Sequence, residues 1–164
     1  MKKTERIAVI GVLAAVGAIL SYIESVLSFS LGIPGIKLGL ANISVLIALY
    51  IYGALPALSV SLIRILVVGL MFGNVFSILF SMAGAMVSFI IMVLFKKIDK
   101  FSIIGVSAVG GIAHNLGQIA VALFVVDNYS VMYYLPPLYI AGIMTGIVIG
   151  TIARLSLKYM PKRI

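Results

Sequence analysis

The chain contains no cysteine, one histidine (His114) and four acidic residues, Glu5, Glu24, Asp99 and Asp127. Without cysteine, disulfides, thiolate metal sites and thiol catalysis are excluded. A zinc or two-metal centre would have to draw most of the acids and the histidine to one place. No two of the acids are close in sequence, so no metal, no cofactor and no catalytic residue is expected. Charge of either sign is scarce, at 10% of 164 residues, against about 25% in a soluble domain. That leaves too little polar surface to coat a water-soluble globule of this size.

What is present is overwhelmingly apolar: 63% of residues are hydrophobic and the mean hydropathy is +1.29. This is the composition of an all-α integral membrane protein, with the lipid bilayer as its surroundings and the length of a single domain, 1–164. Six transmembrane spans are predicted, at about 6–28, 37–52, 55–72, 75–95, 102–126 and 138–157. Pro56 suits the first turn of the third span, and Gly73-Asn74 is a turn signal. A Gly/Pro-rich loop is expected at 30–35 and a second loop at 127–137, containing Asp127-Asn128 and the stretch from Tyr133 to Pro137. The weakest boundary lies at 53–55, where spans two and three could instead form a re-entrant pair. The basic N-terminus followed by an apolar run, with small residues Ala15 and Gly17, also resembles a signal peptide. The run continues to Phe29, however, and the chain beyond is equally apolar, which favours a first span.

The net charge of +8 is distributed in a way that argues against nucleic acid. Ten of the twelve basic residues flank apolar runs: Lys2, Lys3 and Arg6 at the start, Lys96, Lys97 and Lys100 in one loop, and Arg154, Lys158, Lys162 and Arg163 at the end. With six spans these segments share one side, as the positive-inside rule requires of a cytoplasmic face. The expected location is the inner (cytoplasmic) membrane with both termini in the cytoplasm.

That orientation assigns depths to the remaining polar residues. Glu24, Lys37, Asn42, Arg64, His114, Asn115 and Gln118 all fall between the midplane and the outer surface. An Arg or Lys at mid-depth costs about 2.5–3.5 kcal/mol on insertion scales, so such groups usually line a cavity or pair with one another. The expected constellation is a substrate-binding site facing outward. Ser21, Glu24, Ser25 and Ser28 form one polar stripe on span one, and snorkelling to the interface is its alternative. Lys37 and Arg64 are cations facing a buried acid; the alternatives are that Lys37 snorkels and that Arg64 merely ties span three to span one. His114 and Gln118, four apart, share a face. Helix-to-helix hydrogen bonding is the alternative for the cluster of His114, Asn115 and Gln118. His114 would titrate near neutrality unless burial shifts it. The stripes Ser77, Ser81, Gly84, Ser88 and Gly142, Gly146, Gly150 are expected to serve close helix packing.

The runs Tyr22-Ile23-Glu24-Ser25 and Ile33-Pro34-Gly35-Ile36-Lys37-Leu38-Gly39-Leu40-Ala41-Asn42 resemble a bacterial membrane family labelled Gx transporter or heptaprenyl diphosphate synthase component I. Arg64 with Gly69 and Phe72-Gly73, Ser81-Met82-Ala83-Gly84, Ala113-His114-Asn115-Leu116-Gly117-Gln118 and Tyr134-Leu135-Pro136 extend the resemblance over nearly the whole chain. It implies a relation to the substrate-binding S components of energy-coupling factor (ECF) transporters. Such six-helix proteins capture a vitamin-like solute from outside and associate with a transmembrane coupling subunit and two ATPases. Ala14 and Ala18 match the alanine pair that such components present to the coupling subunit. The sequence has no GxxxxGK[ST] loop, so any ATPase is another chain. The synthase label implies instead a membrane subunit in polyprenyl or quinone metabolism. Prenyl transfer from a diphosphate needs clustered carboxylates for Mg²⁺, which makes such a subunit non-catalytic. A third association implied by the family is flavin-based extracellular electron transfer, for which one histidine and no cysteine supply few haem or iron–sulfur ligands.

Overall fold

The computed structural model describes residues 3–30, 39–126 and 129–160. Its elements are α1 (Lys3–Ser30), α2 (Asn42–Tyr52), α3 (Ala54–Phe72), α4 (Val75–Lys97), α5 (Ile103–Val126), a 3₁₀ segment (Tyr129–Tyr134) and α6 (Leu135–Tyr159). Five of the helices are long and apolar enough to cross a membrane. Their outward faces carry large apolar side chains, such as Leu70 at 76% exposure and Phe124 at 88%. A soluble monomer rarely exposes apolar surface on that scale; hydrocarbon is its natural solvent.

The helix ends follow local chemistry. Asn74 caps α4, its side chain accepting from the Ser77 backbone N–H at 2.8 Å, the role for which Asn is preferred. Ser102 does the same for α5, accepting from Gly105 N–H at 3.1 Å. The α3 end is closed by Gly73 N–H donating to Gly69 O at 3.2 Å. Pro136 and Pro137 sit in the first turn of α6, where proline costs no intrahelical bond. The loop expected up to Pro137 therefore ends earlier, in the 3₁₀ segment, and the helix begins at Leu135. Asp127 and Asn128, and residues 31–38 with most of the loop expected at 30–35, lie outside the described residues.

The second span differs from expectation. It was expected over 37–52, but the helix is only 11 residues, Asn42–Tyr52, or about 16 Å at 1.5 Å per residue. That is well short of a hydrocarbon layer of about 30 Å. The fold is thus five span-length helices and one short one. Gly39, at φ +73°, turns the chain just before α2, and Gly53, at φ +90°, breaks it from α3. Both are left-handed conformations that glycine adopts without strain.

The short helix is the centre of the bundle. Residues 44–49 are buried in succession, which requires protein on every side of the helix. It packs against α1, α3 and α6, while α3–α4, α4–α5 and α5–α6 form consecutive pairs. Val45, Leu46 and Leu49 meet Val60, Val106, Ile149 and Ala153 in the core. The C-terminal end of α2 is held by Lys96, whose Nζ donates to Leu49 O at 2.5 Å and lies 4.8 Å from the centre of the Tyr50 ring.

The two small-residue stripes do bring helices together. A Cβ on Gly146 would lie 2.6 Å from Ala108 Cα, and one on Gly150 2.7 Å from Ile104 Cα. On the other side of α5, a Cβ on Gly117 would lie 2.8 Å from the Ala83 carbonyl. Backbone therefore touches backbone from α4 through α5 to α6, as small residues allow. By contrast α1 is peripheral. It packs on α2 and α3 and has no more than marginal contact with α4 or α5 among the described residues.

Candidate functional site

Arg64 is the hub of a polar cavity. Its position midway along α3 points it toward α1 and α2, and it is 7% exposed. Nη1 donates to Ser21 Oγ of α1 at 3.1 Å, and Nη2 donates to Asn42 Oδ1 at the start of α2 at 2.7 Å. The third guanidinium donor, Nε, is buried without a hydrogen-bond partner among the described residues. Leaving a charged donor unmet costs more than leaving a neutral one. Arg64 therefore ties three helices together and still holds one donor in reserve.

Glu24, 5% exposed on α1, accepts from the backbone N–H of Gly39 in the turn that leads into α2. A carboxylate at the start of a helix is favoured by the helix dipole. The acid thus fixes the approach to α2 while standing within electrostatic reach of Arg64.

The cavity beside Arg64 measures about 240 Å³. Ser21 and Glu24 line it from α1, Gly39 and Asn42 from the α2 turn, Arg64 from α3, Ser77 and Ser81 from α4, and His114 from α5. Its apolar wall is α3 itself, through Ile65, Val68, Gly69 and Phe72. Near its rim the Tyr22 and Phe72 rings meet at 4.6 Å between centroids.

Of the seven residues expected to form the site, Glu24, Asn42, Arg64 and His114 share the cavity wall. Lys37 lies outside the described residues. Asn115 is directed elsewhere: its side chain donates to Leu138 O at the start of α6, at 2.7 Å. One residue on from His114 it is turned by about 100°, toward α6 rather than α3. Gln118 shares its face with His114 as the spacing requires, but the two meet the α4 backbone differently. A Cβ on Gly84 would be 2.9 Å from Gln118 Cγ and from His114 Cε1. Gln118 is buried at that contact and is not among the residues lining the cavity. Ser77 and Ser81, taken with Gly84 and Ser88 as a packing stripe, divide: the serines face the cavity and Gly84 packs on α5. Only the position of the two hydroxyls nearer the turn at 73–74 separated them in the sequence. Ala14 is buried and Ala18 half-buried, so this pair lies toward the bundle. The exposed side of α1 carries Ile7, Val12, Val16 and Ile19.

A model of the family described as heptaprenyl diphosphate synthase component I matches residues 13–156. The chain belongs to that family. The matched stretch includes all the residues that line the cavity. No curated protein and no solved structure was found to match the chain. Among the described residues no three His, Asp or Glu side chains come together in a way that could hold a metal ion. The polar groups of the cavity are hydroxyls, an amide, an imidazole, a buried carboxylate and a buried guanidinium, a set suited to holding a solute through hydrogen bonds.

Proposed function

We propose that this protein is a solute-binding membrane subunit of the S-component type, taking a small ligand into the Arg64 cavity from the side opposite the basic loop at 96–100. The observation that carries this reading is a cavity of about 240 Å³ lined by a buried arginine together with Ser21, Glu24, Asn42, Ser77, Ser81 and His114 from four other elements. Glu24, Asn42, Arg64 and His114 would contact the ligand head, with Ser21, Ser77 and Ser81 as hydroxyl partners. Lys37 would add a second cation at the rim. Asn115 and Gln118 would support the site by fixing α5. In this reading an ECF coupling subunit and ATPases are separate chains, and the membrane is the inner one. The test is native mass spectrometry of protein released gently from detergent. A small molecule retained by the wild type and lost by Arg64→Ala supports the reading. Only ordinary lipid in both would sink it.

The family's description favours a second reading, a non-catalytic membrane subunit beside a soluble polyprenyl diphosphate synthase. Such a subunit should change the rate or product length of the synthase with which it co-purifies. A synthase indifferent to its presence removes this alternative.

A further inference from the structure

One face of α6 carries more than the apolar surface that any lipid-facing helix presents. Met144, Val148, Thr151, Leu155 and Lys158 are all exposed, and their spacing puts them on one side of the helix. Arg154 is exposed as well and, four residues before Lys158, is its neighbour on the helix surface. The face is therefore apolar through the middle of α6 and cationic over its last turns. No acidic residue occurs in α6 to neutralise the pair. Lys158 Nζ lies 5.9 Å from the centre of the Tyr159 ring, and tyrosine is a residue enriched where membrane meets water.

The apolar half of this face is hollowed. A groove of about 520 Å³ is lined by Leu40, Met144, Thr145, Ile147, Val148 and Ile149. On one side is α6, and on the other the turn that leads into α2. That turn lies close to α6, because a Cβ on Gly39 would be 3.1 Å from Ile149 Cδ1. None of the groove residues lines the Arg64 cavity. A cavity of about 150 Å³ holds one benzene molecule, so the groove has room for an apolar chain several times larger.

The separation of the two halves matches the dimensions of a lipid. Val148 is ten residues before Lys158, or about 15 Å along the helix. This is half of a hydrocarbon layer of about 30 Å. A phospholipid whose phosphate lies beside Lys158 therefore reaches the groove with the end of an acyl chain. We infer that this face of α6 holds one anionic phospholipid from the leaflet on the basic side, its chain in the groove and its phosphate at Lys158 and Arg154. The stems of the two side chains lie along apolar surface and carry their charges to the headgroup level. Cations at that level attract anionic lipid in general; the groove is what makes this a place for one molecule. The inference does not depend on the solute-binding reading.

The test is native mass spectrometry of delipidated protein titrated with an equimolar mixture of phosphatidylglycerol and phosphatidylcholine of identical chains. Arg154→Gln/Lys158→Gln removes the cationic pair. Lys97→Gln/Lys100→Gln removes the same charge elsewhere on the basic side, and Val148→Trp fills the groove without altering charge. All five positions are exposed, so the fold does not depend on them. The expected result is that the first lipid bound by the wild type is phosphatidylglycerol, favoured by about five-fold or more, as one or two surface cations provide. Arg154→Gln/Lys158→Gln should lose that preference and Lys97→Gln/Lys100→Gln should keep it. Val148→Trp should bind the first phosphatidylglycerol more weakly than the wild type. Equal binding of the two lipids by the wild type overturns the inference. So does an equal loss of preference in both glutamine pairs, which would mean a diffuse basic surface. Undiminished binding by Val148→Trp also overturns it, leaving headgroup attraction without a groove.

Discussion

Arg64 Nη2 and Asn42 Oδ1 lie 2.7 Å apart, joining the middle of α3 to the first residue of α2. The bond sets where the short central helix begins, because α2 has no side-chain cap of its own. Its first turn instead relies on Gly39 and Leu40 carbonyls and on this outside contact. The same guanidinium therefore positions the helix and faces the cavity.

Replacing Arg64 should separate those roles. Arg64→Ala removes both bonds and leaves Ser21 and Asn42 without their charged donor; hydrogen bonds to charged groups are worth about 1.5–3 kcal/mol each. Arg64→Lys keeps the charge but not the planar fork, and should recover part of the stability and little of the ligand retention. Thermal unfolding followed by helical circular dichroism, run beside native mass spectrometry, checks both. Equal retention in Arg64→Lys and wild type would refute a role for the guanidinium geometry.

The other end of α2 gives an independent prediction. Lys96→Met removes a charge-assisted bond to Leu49 O, worth about 1.5–3 kcal/mol by analogy with other charged hydrogen bonds, and a contact with the Tyr50 ring worth about 0.5–1 kcal/mol. Backbone amides around 50–53 should exchange faster with deuterium, while those of α5 and α6 stay unchanged. Uniform acceleration across the chain would show that Lys96 acts on the whole fold and not on this helix end.

Much of this architecture was legible in the sequence. Long apolar runs separated by Gly73-Asn74 and by the basic loop set five of the helices to within a few residues, because length and hydropathy decide what crosses a bilayer. The start of α2 was not legible. Leu40 and Ala41 are as apolar as a helix interior, and only the left-handed turn at Gly39 shows that α2 starts after them. The site was half legible for a similar reason. Counting residues from a membrane face gives an expected depth, and Glu24, Asn42, Arg64 and His114, grouped that way, do share one cavity wall. It carries no information on rotation about the helix axis, and rotation is what sends Asn115 to α6; Gln118, on the face of His114, packs on Gly84 and stays out of the cavity wall.

The glycine contacts predict a steep position dependence. Gly146→Ala forces a methyl group to 2.6 Å from Ala108 Cα, where only helix separation can relieve it. A loss of about 1–3 kcal/mol is expected from such overpacking. Gly11→Ala meets nothing within 4 Å and should be neutral or slightly stabilising, since alanine gains about 0.8–1 kcal/mol over glycine in a helix. Thermal midpoints of the two variants in one detergent decide the matter. Comparable losses at both positions would mean that the α5–α6 contact is looser than the backbone distances imply.

His114 and Asn115 are adjacent and similar in polarity, yet the structure gives them different tasks. His114 lines the cavity, whereas Asn115 spends its amide on Leu138 O across the α5–α6 contact. Asn115→Leu should therefore lower the unfolding midpoint, with about 0.5–1.5 kcal/mol lost with the bond between α5 and α6, and leave ligand retention in the surviving folded protein intact. His114→Ala should abolish retention, whatever the removal of this buried side chain costs the midpoint. The pair is read most cleanly in a single experiment, by measuring retained small molecule per folded protein at a temperature well below both midpoints. If Asn115→Leu empties the cavity while His114→Ala does not, the ligand sits between α5 and α6 rather than beside Arg64, and the site proposed for this protein is on the wrong face of α5.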